Sequence, residues 1–425
     1  MTQRIALGAI IDAAPARVIV TEDASGHVSG ASFDLSGLPR VDSCLVGRPV
    51  MEVPQLVERL CSICPTAHHL AGMRALESLA GVQVPPAAEE IRRVLHHAGV
   101  IAIHVVGMIA TDPEDALILR RFSKAAMAAV GSPGHFPVTA VPGGVAGLVD
   151  PALREACMGL VDDALAAARR VSERALASAV AQDEFDGADV ALIDPEGRLD
   201  LFGQTLRAVS SDGRVVIPAA RPEQWDSLVA ESDPGSSTPR PYLVALGAGT
   251  GLYRVGPVAQ LRVGDVPTPI ASGLQQTWRC AQAGAHAARA IITVHAVEVI
   301  ASLLNNPLLT SPSQPTALTT PWPSHVPAGV GIGWVDGARG LLVHRYATDE
   351  NGLVTGAAIL TPTAQNEPWL GELLRTAATQ STDDKGIRAN MEDAIREADP
   401  CLPCSAAPAG TMDLVVDTVP AGKGA

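Results

Sequence analysis

Apolar residues recur with helical spacing over several long stretches of the chain, and this pattern predicts a mainly helical protein. The stretches are residues 54–80, 87–110, 116–130, 151–181 and 276–305. Two shorter helices are predicted at residues 368–380 and 386–397. Pro54 lies just inside the start of the first stretch, as is common where a helix begins. We therefore expect a bundle of long helices.

Alternation of apolar and polar residues predicts strands outside these helices. Residues 17–21 and 28–33 form a predicted hairpin, and residues 341–346 pair with residues 357–360. Residues 184–275 contain short strand patterns and many turn residues, which indicate an α+β excursion on the rim of the bundle. Their loop at residues 231–241 has a solvated composition, and residues 310–328 are predicted to be irregular. The predicted fold class is therefore α+β, mainly helical, with peripheral β-hairpins.

Composition sets limits on the partners of the protein. The chain has 425 residues, 47% of them hydrophobic, which is enough for a large core. Its formal net charge is −14, and no basic cluster could follow a phosphate backbone, so nucleic acid is excluded as a partner. The sequence has no phosphate-binding loop of the Walker type. These observations favour an interlocked globular protein.

No run reaches the roughly 18–20 apolar residues needed to span a membrane. The longest candidate is residues 98–110, which is short and includes His104. The N-terminal apolar run contains charged residues and does not resemble a signal peptide. We expect a cytoplasmic protein without a membrane span.

Four of the seven cysteines occur as two Cys-x-x-Cys pairs at opposite ends of the chain, Cys61 with Cys64 and Cys401 with Cys404. Four thiolates suit zinc, iron–sulfur or nickel sites. The spacing alone leaves three interpretations open: one shared centre, structural zinc, or two unrelated pairs. A thioredoxin-like redox motif needs a βαβ context, which is missing around Cys61.

The other three cysteines, Cys44, Cys157 and Cys280, are isolated, and we predict that each is a buried structural thiol. Iron–sulfur clusters usually need four thiolates, so these three cannot hold one. Any electron relay must therefore lie on another chain.

The surroundings of the two pairs resemble the large subunit of nickel–iron hydrogenases. The first pair lies in Arg-x-Cys-x-x-Cys-x-x-x-His, from Arg59 to His68, and the second in Asp-Pro-Cys-x-x-Cys, from Asp399 to Cys404. Further matches occur in the family's order at residues 46–49, 52–54, 141–145, 254–257 and 365–366. The resemblance implies a hydrogenase large-subunit-like fold, with long helices around a buried metal site. Because both ends build that site, residues 1–425 are predicted to form one interlocked domain.

The resemblance also implies a nickel–iron centre with carbon monoxide and cyanide on the iron. Cys61 and Cys401 would bind nickel terminally, while Cys64 and Cys404 would bridge the two metals. The thiolate of Cys401 would accept the proton when dihydrogen splits.

Further residues would surround the metals. Arg339, in the segment Asp-Gly-Ala-Arg-Gly, would lie over the open side of the metals. Pro362 and Thr363 would contact the iron ligands, with Thr363 donating to cyanide. His68 would hydrogen-bond a thiolate, whereas His69 would point elsewhere on the same helix; the alternative for both is an ordinary hydrogen-bonded histidine of the core.

Several positions depart from the family pattern. The glycine after the first cysteine is Ser62, and the N-terminal glutamate that carries protons is absent, with Asp12 as the nearest carboxylate. The histidine three residues after the last cysteine, where maturation proteases cut, is Ala407. The carboxylate that would bind a nearby magnesium is Asp42. The thiolates are thus present, while the proton exit and the processing site are changed.

Two functions follow. The first is an active hydrogenase large subunit that is assembled by maturation proteins and passes electrons to an iron–sulfur small subunit. The second is a non-catalytic scaffold or sensor that holds the nickel–iron unit or its precursor. In either case the tail, residues 405–425, is predicted to stay attached, with residues 412–417 forming a strand on the N-terminal hairpin.

Overall fold

The computed structural model describes residues 16–35, 42–61, 63–179, 185–234, 236, 239–306, 309, 318–381, 383–407 and 409–420. The chain forms two compact units. The first unit combines Met1–Pro39, Glu231–Pro241 and Thr363–Ala425, and the second combines Arg40–Ala230 with Tyr242–Pro362. The predictions about Asp12, Ser62 and residues 310–317 lie outside the described residues, whereas residues 318–328 are irregular, as predicted.

The described residues form a mainly helical α+β protein, as the hydrophobic pattern predicts. The helices α1 to α13 are, in chain order, Asp42–Leu45, Val53–Leu60, Pro65–Ala80, Pro86–Met108, Pro113–Ala129, Pro151–Met158, Val161–Ala177, Trp225–Leu228, Pro257–Val263, Pro269–Ala281, Ala285–Leu304, Pro362–Thr379 and Asp384–Ala398. The strands β1 to β14 are Ala16–Glu22, Val28–Phe33, Ala140–Val141, Gly144–Val145, Ala188–Ile193, Thr205–Val209, Val215–Ala220, Val229–Glu231, Pro241–Leu243, Tyr253–Arg254, Gly329–Gly337, Gly340–Thr348, Val354–Leu360 and Leu414–Pro420.

Three of the predicted long helices are each divided in two. The first breaks between α2 and α3 because Pro65 occupies the first turn of α3 and lacks the N–H needed to continue a helix from before it. The helix predicted over residues 276–305 breaks at Gln282, whose left-handed φ of 49° ends α10. The helix predicted over residues 151–181 divides into α6 and α7. Apolar periodicity continues across each break, so it could not reveal them.

In the second unit, α3 lies directly on strand β11. A Cβ atom at Gly331 would lie 2.2 Å from the backbone oxygen of Ala75, and one at Gly333 would lie 2.3 Å from the Ala75 nitrogen. Only glycine permits so close a helix–strand contact. Thirteen of the sixteen residues of α3 are buried, so this helix is part of the core.

The stretch at residues 184–275 is less peripheral than its composition suggests. Strands β10, β5, β6 and β7 form a sheet in that order, and every residue of β5 is buried. Its apolar side chains share one core with Trp334, Leu341 and Val343 of β11 and β12. The prediction that this segment lies only on the rim is therefore wrong, because its sheet covers the β11–β12 hairpin.

In the first unit, the strand order is β14-β1-β2. The tail strand β14 pairs in parallel with β1 from Leu414 opposite Ala16 to Pro420 opposite Glu22. This confirms that the tail docks on the N-terminal hairpin. Leu414 is buried as expected, whereas Val416 is only half-buried. Helix α12 covers β2, where the Phe33 amide donates to Glu367 Oε1 at 3.3 Å.

Two predictions about isolated cysteines are wrong. Cys157 is buried, and burial raises the pKa of its thiol to about 12. Cys44 and Cys280, by contrast, are exposed. Cys44 belongs to a four-residue helix, and Cys280 lies in the last turn of α10, so neither side chain faces the core.

One described helix, α11, is long and apolar enough to cross a membrane, contrary to the expectation from residues 98–110. About two-thirds of its apolar window is buried inside the protein (67%), as in the core helix of a globular protein. It packs beside α4 and α7. The estimate based on uninterrupted apolar residues missed it because His286, Arg289, His295 and Glu298 interrupt the run.

Candidate metal centre

The first cysteine pair lies at the junction of two helices. Cys61 directly follows the last residue of α2, and Cys64 is the N-cap residue directly before α3. Both thiols reach the same side of this junction. The sulfur atoms are 3.8 Å apart, and both residues are partly buried.

This sulfur spacing fits two ligands of one metal ion. Metal–thiolate bonds of about 2.3 Å at a tetrahedral angle place two sulfurs about 3.8 Å apart. A disulfide needs about 2.05 Å, so the pair is not oxidised. One ring nitrogen of His68 lies within 4.8 Å of both sulfurs. The local donor set therefore suits a soft metal.

A chain of buried hydrogen bonds leads away from His68. Its Nδ1 lies 2.9 Å from Nε2 of His344, and Nδ1 of His344 lies 2.5 Å from the hydroxyl oxygen of Tyr346. All three side chains are at most 2% exposed. His344 and Tyr346 are two residues apart on β12 and so share a face of that strand. Sequence reasoning missed both residues, although this polar pair in an apolar strand was a usable signal.

The direction of these hydrogen bonds follows from the tyrosine. Within the described residues its hydroxyl has a single hydrogen-bonding neighbour, Nδ1 of His344, and an unused buried donor costs about 1–3 kcal/mol. Burial raises the pKa of Tyr346 and lowers the pKa of His344 well below its ordinary value, so the first keeps its proton and the second stays neutral. His344 then donates from Nε2 to Nδ1 of His68. A neutral His68 consequently carries its proton on Nε2, which makes the ring a hydrogen-bond donor rather than a metal ligand.

His69, the next residue of α3, is held elsewhere, as predicted. Its Nδ1 lies 2.8 Å from Oε2 of Glu58 on α2, and both side chains are 3% exposed. This buried pair joins the two helices on either side of the cysteines. Its sequence signal was weak, because a glutamate in an amphipathic helix is usually solvated.

The second cysteine pair lies just after α13. Asp399, in the left-handed conformation with a φ of 47°, ends that helix, and Pro400 follows. The Cys401 amide donates to Oγ1 of Thr363 at 2.6 Å, and Thr363 is buried. The Ser405 hydroxyl donates to the Pro400 carbonyl at 3.1 Å. Thr363 thus supports the backbone of the second pair.

Burial raises the pKa of the Cys404 thiol to about 11. A bound cation would oppose this effect, because metal binding favours the thiolate. The two cysteine pairs belong to different compact units. Convergence of all four sulfurs on one centre stays a prediction.

Arg339 lies in the two-residue turn between β11 and β12, since Gly337 and Gly340 are the last paired residues. The side chain is partly buried, and its Nη1 atom is inaccessible to solvent. Strand β11 runs toward the start of α3: a Cβ atom at Gly337 would lie 3.7 Å from the Cβ atom of Ala67. The turn that carries Arg339 therefore lies at the end of α3 where Cys64 is found.

Asp42 has a structural partner. Its Oδ1 accepts the Ile359 amide at 3.1 Å and so connects α1 to the end of β13. A role of Asp42 in binding magnesium stays a prediction. Pro362 is buried at the start of α12, directly before Thr363.

Comparison with known proteins agrees with this geometry. Residues 40–109, which include the first cysteine pair, match the family model described as nickel-dependent hydrogenase. One relative is the F420-non-reducing hydrogenase vhu of Methanococcus voltae, whose matching chain is 30% identical over 404 residues, covering 85% of this chain and 94% of that protein. The NAD-reducing hydrogenase HoxS subunit beta of Cupriavidus necator is 26% identical, with 94% of this chain and 93% of the relative covered.

A solved structure shares the fold. The NAD+-reducing NiFe hydrogenase in its H2-reduced state superposes with a TM-score of 0.79 at 27% identity, covering 91% of this chain and 95% of that chain. The same assignment follows from the shared fold, from the sequence similarity over 85–94% of this chain, and from the sulfur spacing of the first cysteine pair. The chain belongs to the nickel–iron hydrogenase large subunit family, whose members are oxidoreductases built on a nickel–iron centre.

Proposed function

We propose that this chain is a catalytic large subunit that splits or forms dihydrogen at a nickel–iron centre held by Cys61, Cys64, Cys401 and Cys404. The main supporting observation is the first pair, whose sulfurs are 3.8 Å apart at the end of α3 nearest the Arg339 turn. A thiolate pair beside a partly buried guanidinium is the arrangement that this chemistry needs.

When bound, the metals would polarise dihydrogen and take up its two electrons. The Cys401 sulfur would accept one proton as the H–H bond breaks. The Arg339 guanidinium, charged at any working pH, would donate hydrogen bonds on the open side of the centre. His68 would donate to a thiolate and lower its electron density. Each dihydrogen yields two protons and two electrons: one proton would go to the Cys401 sulfur, the other would be released to solvent, and the electrons would pass to a partner.

Carbon monoxide and cyanide would complete the ligands of the iron. Thr363 uses its oxygen to accept the Cys401 amide, which leaves its hydroxyl proton for a cyanide nitrogen. Pro362 would supply apolar contact beside it. Asp42 would be the carboxylate for magnesium.

The electron acceptor would be an iron–sulfur small subunit. We expect it to dock beside the first cysteine pair, at residues 46–51 and 135–141, where four large apolar side chains are exposed: Val46, Met51, Phe136 and Val138. Exposed groups of this kind are typical of interfaces. Val138→Glu, at the most exposed of them (62%), should weaken the complex in size-exclusion chromatography, whereas Val215→Glu, at an exposed valine of β7, should not. A fully active, stable monomer would contradict the proposed partner. The assembled protein would be cytoplasmic.

The second candidate is a non-catalytic scaffold or sensor that receives the nickel–iron unit from maturation proteins. Two sequence observations favour it: the changed N-terminal glutamate and Ala407 in place of the processing histidine. A scaffold would bind the metals and still show no turnover.

Metal analysis combined with hydrogen uptake by a dye acceptor separates the two candidates. The purified complex should contain about one nickel per chain and consume hydrogen, and Cys61→Ser should lower uptake by more than about 100-fold. Cys280→Ser is the matched control, since this exposed thiol lies far along the chain from both pairs. Metal without uptake would support the scaffold, which could hold the nickel–iron unit or its precursor, and absence of both nickel and iron would contradict both candidates.

Tail processing needs its own measurement. The tail strand β14 completes a sheet, so we expect it to remain in the metal-loaded protein. Intact-mass analysis should show the full chain. Loss of the residues after Ala407 would show that processing tolerates alanine.

A further inference from the structure

Three successive carbonyl groups before Arg339 each accept a hydrogen bond from a different buried side chain. His96 Nε2 lies 3.0 Å from the Asp336 oxygen, Gln260 Nε2 lies 3.0 Å from the Gly337 oxygen, and His104 Nε2 lies 2.8 Å from the Ala338 oxygen. The histidines are both on α4, and Gln260 is on α9. All three donors are at most 3% exposed. Two helices thus hold one short segment of backbone.

The roles of these atoms are fixed by their partners, because a carbonyl oxygen can only accept. Each histidine must carry a proton on Nε2. Burial lowers the pKa of His96 to about 3, so its Nδ1 carries no proton, and this atom has no hydrogen-bond partner within the described residues. The amide nitrogen of Gln260 also donates to Oδ1 of Asp336 at 2.6 Å, so both of its neighbours are acceptors. Three buried side-chain donors thus hydrogen-bond to the backbone carbonyls of residues 336–338.

The backbone on the other side of the turn is equally restricted. A Cβ atom at Gly256 would lie 2.7 Å from the Arg339 carbonyl oxygen, and one at Gly340 would lie 2.6 Å from the Gly256 nitrogen. Gly256 immediately precedes α9, the helix that carries Gln260. The turn is therefore enclosed by the start of α9 and by the donors of α4.

From this arrangement we infer that His96, Gln260 and His104 are positioning residues, which fix the turn and thereby aim the Arg339 guanidinium. The inference rests on the proposed role of Arg339. A long side chain on a two-residue turn has many orientations, and a catalytic group must be held within about 0.5 Å. Three hydrogen bonds to consecutive carbonyls leave the turn one backbone conformation from which the side chain can extend.

The test compares His104→Leu, His104→Gln and His97→Leu in the complete, metal-loaded complex. Glutamine can place its amide nitrogen where histidine has Nε2, so it restores the donor. His97 is the matched control: it is on the same helix, 1% exposed, and its Nδ1 contacts the Arg93 carbonyl of its own helix. The measurements are hydrogen exchange of amides 336–341, nickel and iron content, and the kcat of hydrogen uptake.

We expect His104→Leu to speed amide exchange in this segment and to lower kcat at least about 10-fold at unchanged metal content. His104→Gln should recover most of both losses, and His97→Leu should change neither. Equal effects of the two leucine variants, or no recovery with glutamine, would overturn the inference. If His104→Leu does not yield a loaded complex, Gln260→Met supplies the same comparison: it keeps a side chain of similar shape and removes both hydrogen bonds of the amide nitrogen, to the Gly337 carbonyl and to Asp336.

A parallel Arg339→Lys variant separates this inference from the proposed function. Lysine retains charge and loses the planar fork, so turnover should fall while the turn stays protected. Full turnover in Arg339→Lys would refute the role of the arginine itself. A different result would refute only the positioning role: Arg339→Lys loses turnover, while His104→Leu shows faster amide exchange in the turn and a normal kcat.

Discussion

The two cysteine pairs are supported by different kinds of structure. Cys61 and Cys64 lie between two helices, and α3 is pressed against β11 with backbone contact at Gly331 and Gly333. Cys401 and Cys404 follow a helix end and depend on local hydrogen bonds, chiefly that from the Cys401 amide to Thr363. The first pair is thus fixed by core packing, and the second by a few polar contacts within a smaller unit.

This difference indicates which kind of substitution should disturb each cysteine pair. A packed core transmits a small steric change over a whole helix, whereas a hydrogen-bonded turn responds to the loss of a single acceptor. Conditions or substitutions that act on one unit should therefore leave the other half of the centre largely unaffected. The following predictions test this separation, beginning with the largest expected effect.

Mild acid should destabilise the second unit preferentially. Burial lowers the pKa of His96, His97 and His295 to about 3, so their stabilising neutral state is present above the unfolded pKa of about 6.5 and is lost as pH falls. Asp336 acts in the opposite sense, since burial raises its pKa to about 7 and stability from this group grows as pH falls. His344, whose pKa burial also lowers, is the fourth such histidine, so proton uptake by the histidines on unfolding exceeds proton release by Asp336. The free energy of unfolding should therefore fall by several kcal/mol between pH 6.5 and 5.

Hydrogen exchange at pH 7 and pH 5 measures this effect. Protection in α4 and α11 should fall at pH 5, while β14 and α13 of the first unit, which contain no histidine, should change little. Equal loss in both units would show that acid acts on the whole molecule.

Gly333→Ala should disturb the first pair without touching the second. The added methyl would lie 2.3–2.7 Å from backbone atoms of α3, which cannot yield without moving the helix. We expect unfolding free energy to fall by about 3 kcal/mol and nickel content to fall with it. Gly273→Ala is the control, because no atom lies within 4 Å of its added methyl and alanine favours a helix. Unchanged stability in Gly333→Ala would contradict the packing account.

Thr363→Val should weaken the second pair alone. Valine keeps the shape and removes the acceptor for the Cys401 amide, at a cost of about 2 kcal/mol. Thermal unfolding and metal content should recover in Thr363→Ser, which restores the hydroxyl. Exchange in α3 should remain as in the wild type. If serine and valine behave alike, the hydrogen bond does not hold this turn.

Leu414→Ala and Val416→Ala should give the smallest effects and should differ. Leu414 is buried in β14 and should contribute about 2 kcal/mol, whereas half-buried Val416 should contribute about 1 kcal/mol. Denaturant unfolding measures both. The two residues share one face of β14, so a larger loss at Val416 would mean that Val416, and not Leu414, is the more buried of the two.

Much of this architecture could be predicted from the sequence, and the failures have physical causes. Helical periodicity located the long helices, and alternation located the tail strand and its partner. The breaks at Pro65 and Gln282 escaped because apolar spacing continues through them. His344 and Tyr346 escaped because only tertiary packing brings the β12 strand beside His68, and the donors to the Arg339 turn come from residues that look like ordinary core histidines. The cysteines could be found because paired thiols have few other uses in such a chain.

The first unit combines segments from both ends of the chain, and this has a consequence for synthesis on the ribosome. All of the second unit, including Cys61 and Cys64, has been translated once residue 362 is made, but the sheet β14-β1-β2 cannot close until residue 420 emerges. Until then β1 and β2 form a two-stranded hairpin, which is only marginally stable alone. A metal delivered to the nascent chain would therefore meet the thiolates of the first pair before those of the second pair have been made.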